Sequence, residues 1–325
     1  MRFHRLAAAA SALMLIVLPS LAQALDKVTI AGWSNAISEI TNILAEPDKN
    51  FFKAQDIDLG YVPGTGGGSA ITNMLAGAAD VAFTDPASLY QALDRGADLV
   101  AIYNIYPQNV FNVVAPVSRG IKTAADLKGK TVGVYSLNSG TRQNLLFLLH
   151  QAGLSEADVT IQVTGLLNFA PVIQGQVDAT AATDTGLYVG RLKGLGEIDV
   201  INVADSLNVP SDLFVVPRAY YEGNKPLLRR FLVAYRDSAA WMIANPEEAA
   251  KIAVTRSING RDEAVNLEII KLRNISTQSE TTRAKGLGHF DLDVLQQGAD
   301  AYFAHGLIQS RLDMGGIVMT DLIPG

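Results

Sequence analysis

Twice along this chain a helical pattern closes on Gly-x-x-Asp, passes through a strand of small residues and stops at Thr-Asp. Leu75 to Asp80 leads to Thr84-Asp85, and Ile173 to Asp178 leads to Thr183-Asp184. Such a pair restricts the chain to an α/β architecture and describes two related lobes, each ending a strand in a Thr-Asp turn. The second copy is one residue longer, so parallel use of common α/β turn chemistry is the competing explanation. In open α/β sheets ligands sit outside the carboxyl ends of the strands, so two such ends facing each other make a cleft.

The surrounding pattern agrees. Val28 to Ala31, Asp58 to Val62, Asp80 to Thr84 and Leu99 to Tyr103 read as strands, with Ile37 to Leu44, Ala70 to Ala76 and Ala87 to Leu93 at helical spacing between them. That order predicts a mostly parallel sheet. A second unit follows: strands at Lys130 to Tyr135, Val159 to Val163 and Ala179 to Ala182, helices at Thr141 to Ala152 and Pro171 to Gln174. From Arg218 the pattern is almost wholly helical, with Lys225 to Asn245, Pro246 to Val254 and Asp262 to Arg273 as the main candidates. With 325 residues, 49% of them hydrophobic, the chain is long enough for two cores.

The amino terminus bears on compartment. Arg2 and Arg5 precede an uncharged apolar stretch from Leu6 to Leu18, Pro19 breaks it, and Ala22-Gln23-Ala24 places small residues where a signal peptidase needs them. Residues 1–24 are therefore expected to be a cleaved signal peptide. Residue 25 is Leu and not Cys, so no lipid anchor is expected, and the mature chain is read as soluble and periplasmic. A net charge of −6 offers no basic field for nucleic acid. Cysteine is absent. His150, His289 and His305 form no HExxH pair, and GxSxG and GxxxxGK[ST] motifs are lacking, so catalytic chemistry finds little support and no metal or cofactor is implied.

Five places invite a ligand. Gly64-Thr65-Gly66-Gly67-Gly68-Ser69 joins the second strand to a helix beginning near Ser69, where free backbone N–H groups and the helix dipole can meet a polar ligand group; a flexible connection capped by Ser69 is the alternative. Asn138-Ser139-Gly140-Thr141-Arg142 holds the same position in the second unit. Ser139 or Asn138 can cap that helix, which leaves Arg142 opposing the positive end of the dipole unless an anion, from a ligand or a local acidic residue, lies beside it; the alternative is an arginine turned to solvent. Asp85 and Asp184 read first as helix caps or turn residues and second as ligand contacts. Trp33, after the first strand and followed by Ser34-Asn35, suits a stacking wall, whereas Trp241 in a long amphipathic helix reads as core.

Further segments fall in a recognisable order: Asn50-Phe51-Phe52-Lys53 into Ile57-Asp58-Leu59, then Leu75 to Val81, Ala125 to Val134, Gly175 to Ala179, and Asn245-Pro246-Glu247-Glu248-Ala249. With a signal peptide ahead of them, they resemble the periplasmic substrate-binding proteins of ABC importers, in the nitrate/sulfonate/taurine and thiamine-precursor branch, over nearly the whole mature chain. The resemblance implies a two-lobed periplasmic binding protein fold of type II-like form. Lobe one would span residues 25–115 plus 216–325, and lobe two residues 116–215. It implies ligand contacts at Trp33 and Asn35, at Thr65, Gly66, Gly67, Gly68 and Ser69, and at Asn138, Ser139, Thr141 and Arg142, with Asp85 and Asp184 as further candidates. Many sulfonate-binding relatives carry Gly-Ser-Thr before an aromatic residue or His at the lobe-two turn, where this chain has Asn-Ser-Gly-Thr-Arg. The cysteine-rich motif of the family's pyrimidine-synthesising enzymes is absent. The expected function is a monomeric binding protein that captures a small anionic or zwitterionic solute, such as a sulfonate, taurine, a carboxylate or a pyrimidine-like molecule, for an inner-membrane permease and its ATPase. An exported enzyme using the same cleft is the alternative.

Overall fold

The computed structural model describes residues 24–167 and 169–325; the signal-peptide reading falls on residues 1–23, outside them. Among the described residues ten strands form two five-stranded sheets. The first holds β1 (Asp26–Ala31), β2 (Ile57–Val62), β3 (Val81–Thr84), β4 (Leu99–Tyr106) and β10 (Asp212–Pro217), in the order β2-β1-β3-β10-β4. The second holds β5 (Phe111–Pro116), β6 (Thr131–Val134), β7 (Thr160–Val163), β8 (Ala179–Thr183) and β9 (Ile198–Asn202), in the order β7-β6-β8-β5-β9. The two orders are the same pattern, and the repeated Gly-x-x-Asp explains part of it. Asp80 accepts from the Thr29 N–H at 2.8 Å and its own N–H donates to the Thr29 carbonyl, pinning β3 beside β1. Asp178 does the same with Thr131 and pins β8 beside β6.

Neither sheet is wholly parallel. β10 runs antiparallel to β3 and β4, and β5 antiparallel to β8 and β9. Each is the strand on which the chain arrives from the other lobe. It therefore starts at the cleft, whereas β1, β3, β6 and β8 end there. The same fact moves the expected lobe limits: the sheets exchange over residues 107–110 and 203–211, so β5 belongs to lobe two and β10 to lobe one. Because both are short apolar runs continuing a strand-rich region, the hydrophobic pattern alone did not mark the exchange.

The inner strands β3, β4 and β10 of the first sheet are buried on both faces, and alternation assigns each residue a side. Leu99, Ala101, Leu213 and Val215 face one cluster with Ile71, Leu89 and Leu295, while Val100, Ile102, Phe214 and Val216 face another with Phe52, Phe231 and Tyr235. The second cluster is covered by the Lys225–Ala244 helix. The first continues into lobe two through the Gly140–Gln151 helix, whose Phe147 stacks on Tyr302 at 6.0 Å. Tyr302 lies on a Leu292–Ala304 helix that the sequence pattern had not singled out. No helix among the described residues is long and apolar enough to cross a membrane.

Candidate functional site

Between the sheets lies a cavity of about 170 Å³, room for on the order of ten waters and so for a small organic molecule. Its walls come from the strand ends of both lobes. Trp33 follows β1, Gly66 and Gly67 open the Gly67–Leu75 helix, and Asp85 caps the Pro86–Asp94 helix. From lobe two come Phe111 at the start of β5, Tyr135 after β6, Ser139 to Thr141 at the start of the Gly140–Gln151 helix, and Leu166, Leu167 and Phe169. A solute here has aromatic surface on both sides, with Trp33 itself held edge-on against Phe83 at 6.3 Å. The Trp33 indole N–H has no hydrogen-bond partner among the described residues.

Asp85 sits at the centre. Its carboxylate accepts from the Ser88 N–H and the Ser88 hydroxyl, both at 2.8 Å, which satisfies the cap of its own helix. A Cβ on Gly67 would fall 2.1 Å from Asp85 Oδ2, and one on Gly140 would fall 3.4 Å from Asp85 Cγ. The carboxyl thus lies against the starts of three helices, one from the opposite lobe, which favour negative charge, while burial raises its pKa above the ordinary carboxylate value. Asp212, the first residue of β10, also lines the cavity and is buried.

Contacts between the lobes flank the cavity. The Gly68 N–H donates to the Asn138 carbonyl at 3.1 Å, the Ser136 hydroxyl to the Thr65 carbonyl, and the side chains of Gln91 and Gln143 exchange hydrogen bonds. On the other flank Arg273, 1% exposed, reaches from the Glu263–Ser276 helix of lobe one. It pairs with Asp184 of lobe two, approaches Thr185 Oγ1 at 3.3 Å and has its Nε 3.2 Å from Glu39 Oε2. The Thr185 hydroxyl donates to Glu39 at 2.9 Å, so two carboxylates and one hydroxyl surround one guanidinium. Tyr106 supplies its ring at 5.5 Å from the guanidinium carbon.

Of the residues expected to meet a ligand, Trp33, Gly66, Gly67, Asp85, Ser139 and Thr141 line this cavity. Asn35, Thr65, Gly68, Ser69, Asn138, Arg142 and Asp184 do not. The glycine-rich segment spends most of its amides on protein: Gly66 N–H donates to the Trp33 carbonyl and Gly68 N–H crosses to lobe two. Ser69 is no cap, since the helix already begins at Gly67; its hydroxyl ties Thr65 N–H to the Gly66 carbonyl. In lobe two Ser139 is the cap, and Thr183, not Asp184, caps the Asp184–Leu192 helix. Asp184 instead supplies the partner of Arg273.

For Arg142 the structure supplies the local acidic partner. The arginine forms a two-pronged pair with Glu156 of its own lobe, Nε to Oε1 at 3.0 Å, so a local acidic residue and not a solute answers the helix dipole. With side chains 20% and 43% exposed, the pair contributes little. Arg142→Ala is accordingly expected to leave solute affinity within about twofold and to lower stability by at most about 1 kcal/mol, which titration calorimetry and thermal melts of the variant check.

Glu39, Phe111, Tyr135, Phe169, Asp212 and Arg273 went unread in the sequence. Phe111 and Asp212 follow the two crossings, and Arg273 lies far along a helix whose sequence looks like any amphipathic surface helix. Only the heading of an apolar strand by a carboxylate at Asp212-Leu213-Phe214-Val215-Val216 marked one of them in advance.

Comparison with known proteins decides the family. Residues 37–249 match the family described as NMT1/THI5 like. The chain belongs to the NMT1/THI5-like family. It is 26% identical over 247 residues to the riboflavin-binding protein RibY of Chloroflexus aurantiacus, covering 75% of this chain and 70% of that protein. It is also 26% identical over 258 residues to a putative thiamine biosynthesis protein of Haemophilus influenzae, covering 78% and 80%. Among solved structures, the alkanesulfonate-binding protein SsuA of Xanthomonas axonopodis pv. citri bound to MOPS superposes with a TM-score of 0.71 at 19% identity, covering 90% of this chain and 98% of that one. That likeness shows the fold: this NMT1/THI5-like chain has the two-lobed periplasmic binding protein architecture.

Proposed function

We propose that this chain is the periplasmic solute-binding component of an ABC importer, that it is not an enzyme, and that its solute is a small, flat heteroaromatic molecule and not an oxyanion. In this reading the monomeric, signal-processed protein closes on the solute and presents it to an inner-membrane permease and its ATPase. The observation that carries the solute class is the composition of the cavity. Trp33 lines it from one lobe and Phe111, Tyr135 and Phe169 from the other, and among the charged groups beside them the carboxyls Glu39, Asp85 and Asp212 outnumber the cations Lys193 and Arg273. Arg273 is already answered by Glu39 and Asp184, Arg142 by Glu156, and the remaining lining cation, Lys193, is exposed. A sulfonate or carboxylate entering this space would meet Asp85, Asp212 and Glu39 without a free buried cation to offset them. Of the expected solutes, the pyrimidine-like one suits this lining and the anionic ones do not. The names of the riboflavin-binding and thiamine-biosynthesis relatives agree with this reading.

Native mass spectrometry of the freshly purified protein, followed by calorimetric titration with riboflavin, 4-aminopyrimidine, ethanesulfonate and nitrate, tests the reading. Binding of a heteroaromatic probe with quenching of Trp33 fluorescence is expected. Tight binding of ethanesulfonate or nitrate with no response to either ring system would overturn it.

A further inference from the structure

We propose that Asp212 is the specificity-determining residue of the cleft, accepting a hydrogen bond from an N–H donor on the solute's ring edge. This rests on the reading of the solute as heteroaromatic and adds the group that sorts one ring from another. Among the buried carboxyls of the cavity, Asp85 is satisfied by Ser88, whereas Asp212, 8% exposed, has neither a hydrogen-bond partner nor an ion pair among the described residues. Its carboxyl opens on the cavity and not into packed protein, so a donor on a bound solute is the partner it can take. The placement suits that role. Asp212 is the residue with which the second crossing enters lobe one, at the cleft end of β10, within reach of a solute held between Trp33 and Phe111.

Its surroundings fix the polarity of what it accepts. Asp85 and Glu39 add negative charge, and Tyr61, Tyr106 and Tyr235 lie near enough to feel the Asp212 charge. Arg273 across the cavity is engaged with Glu39 and Asp184. Burial, with these like charges adding to it, pushes the Asp212 carboxyl well above the usual carboxylate range. The folded form then holds its proton more tightly than the unfolded chain does. Stability from this group is fully present below the unfolded value of about 4 and is lost as pH rises through the folded value. A solute N–H donor reverses that loss by giving the ionised carboxylate the partner it lacks.

Two variants and two readouts test this. In melts of the protein without added solute between pH 5 and 8.5, Asp212→Asn is expected to melt above the parent, by a margin that widens with pH. A variant that melts below the parent by the same amount at every pH would mean that the carboxyl is structurally satisfied, and would overturn the assignment. In titrations, 4-aminopyrimidine and its N,N-dimethyl analogue, which lacks the donor, serve as probes. The parent is expected to prefer the first by roughly tenfold to a hundredfold, Asp212→Leu to lose the preference, and Asp212→Asn to keep part of it. Equal binding of both probes by the parent overturns the role of Asp212. Failure of both to bind counts against the heteroaromatic reading instead, and the melts then decide Asp212 alone.

Discussion

Arg273→Ala is expected to shift the protein towards an open form and to weaken solute binding by roughly a hundredfold. The guanidinium ties its own lobe, through Glu39, to Asp184 and Thr185 of the other. Removing one member of a buried ion cluster costs about 3 to 5 kcal/mol, because the partners are left charged and without compensation. The lower end applies here, since Asp184 keeps a third of its side chain in water. That energy bears mainly on the closed arrangement, so it enters the closure equilibrium and, through it, the observed affinity. Arg273→Lys keeps the charge but not the planar fork, and should recover part of the loss. Small-angle scattering at saturating solute gives the radius of gyration, and calorimetry the affinity. A radius and an affinity equal to those of the parent would show that this cluster does not hold the lobes together.

Gly66→Ala should damage closure from the opposite flank while leaving each lobe folded. Gly66 has φ +128°, a conformation that residues with a Cβ seldom adopt, at a cost of about 1 to 3 kcal/mol. A Cβ there would also stand 2.2 Å from the Asn138 carbonyl oxygen of lobe two, so the lobes would have to separate. Affinity should fall by about tenfold to a hundredfold with a melting temperature only slightly below the parent's. Gly68→Ala is the matched control: its backbone is ordinary, and its Cβ would meet the same carbonyl at 3.3 Å, a contact that a small adjustment relieves. If both alanine variants bind like the parent, the glycine-rich segment is a connector and nothing more.

The contrast between these glycines shows what the sequence could and could not reveal. The repeat of Gly-x-x-Asp and Thr-Asp expressed a real correspondence, because Asp80 and Asp178 make the same bracket to Thr29 and Thr131 in sheets of the same strand order. Local chemistry of that sort is written within a few residues. The helix start at Ser139 was legible for the same reason, since the cap and the amide it serves are three residues apart. What makes Gly66 matter is a carbonyl some seventy residues away, and Arg273 meets Asp184 across 89 positions. For Arg142 the sequence left a ligand and a local acidic residue both open as its anion, and the acid that pairs with it, Glu156, lies 14 positions away. The mostly parallel sheet was legible too; β5 and β10 alone run against it, the two strands whose direction is set by where the chain comes from and not by what their side chains prefer.

Those two strands also set an order of events for capture. Phe111 and Asp212 stand just beyond the crossings, and the Arg273 cluster lies beside the first of them, its guanidinium over Tyr106 and the Asp184 N–H on the Val110 carbonyl, whereas Gly68 and Ser136 make their contacts between the lobes on the opposite flank. A solute therefore docks first on a nearly stationary pivot and only afterwards gains its outer walls. Stopped-flow traces of Trp33 emission follow from this as two phases: a fast one whose rate climbs with solute concentration, and a slower one that levels off at the speed of the swinging lobes.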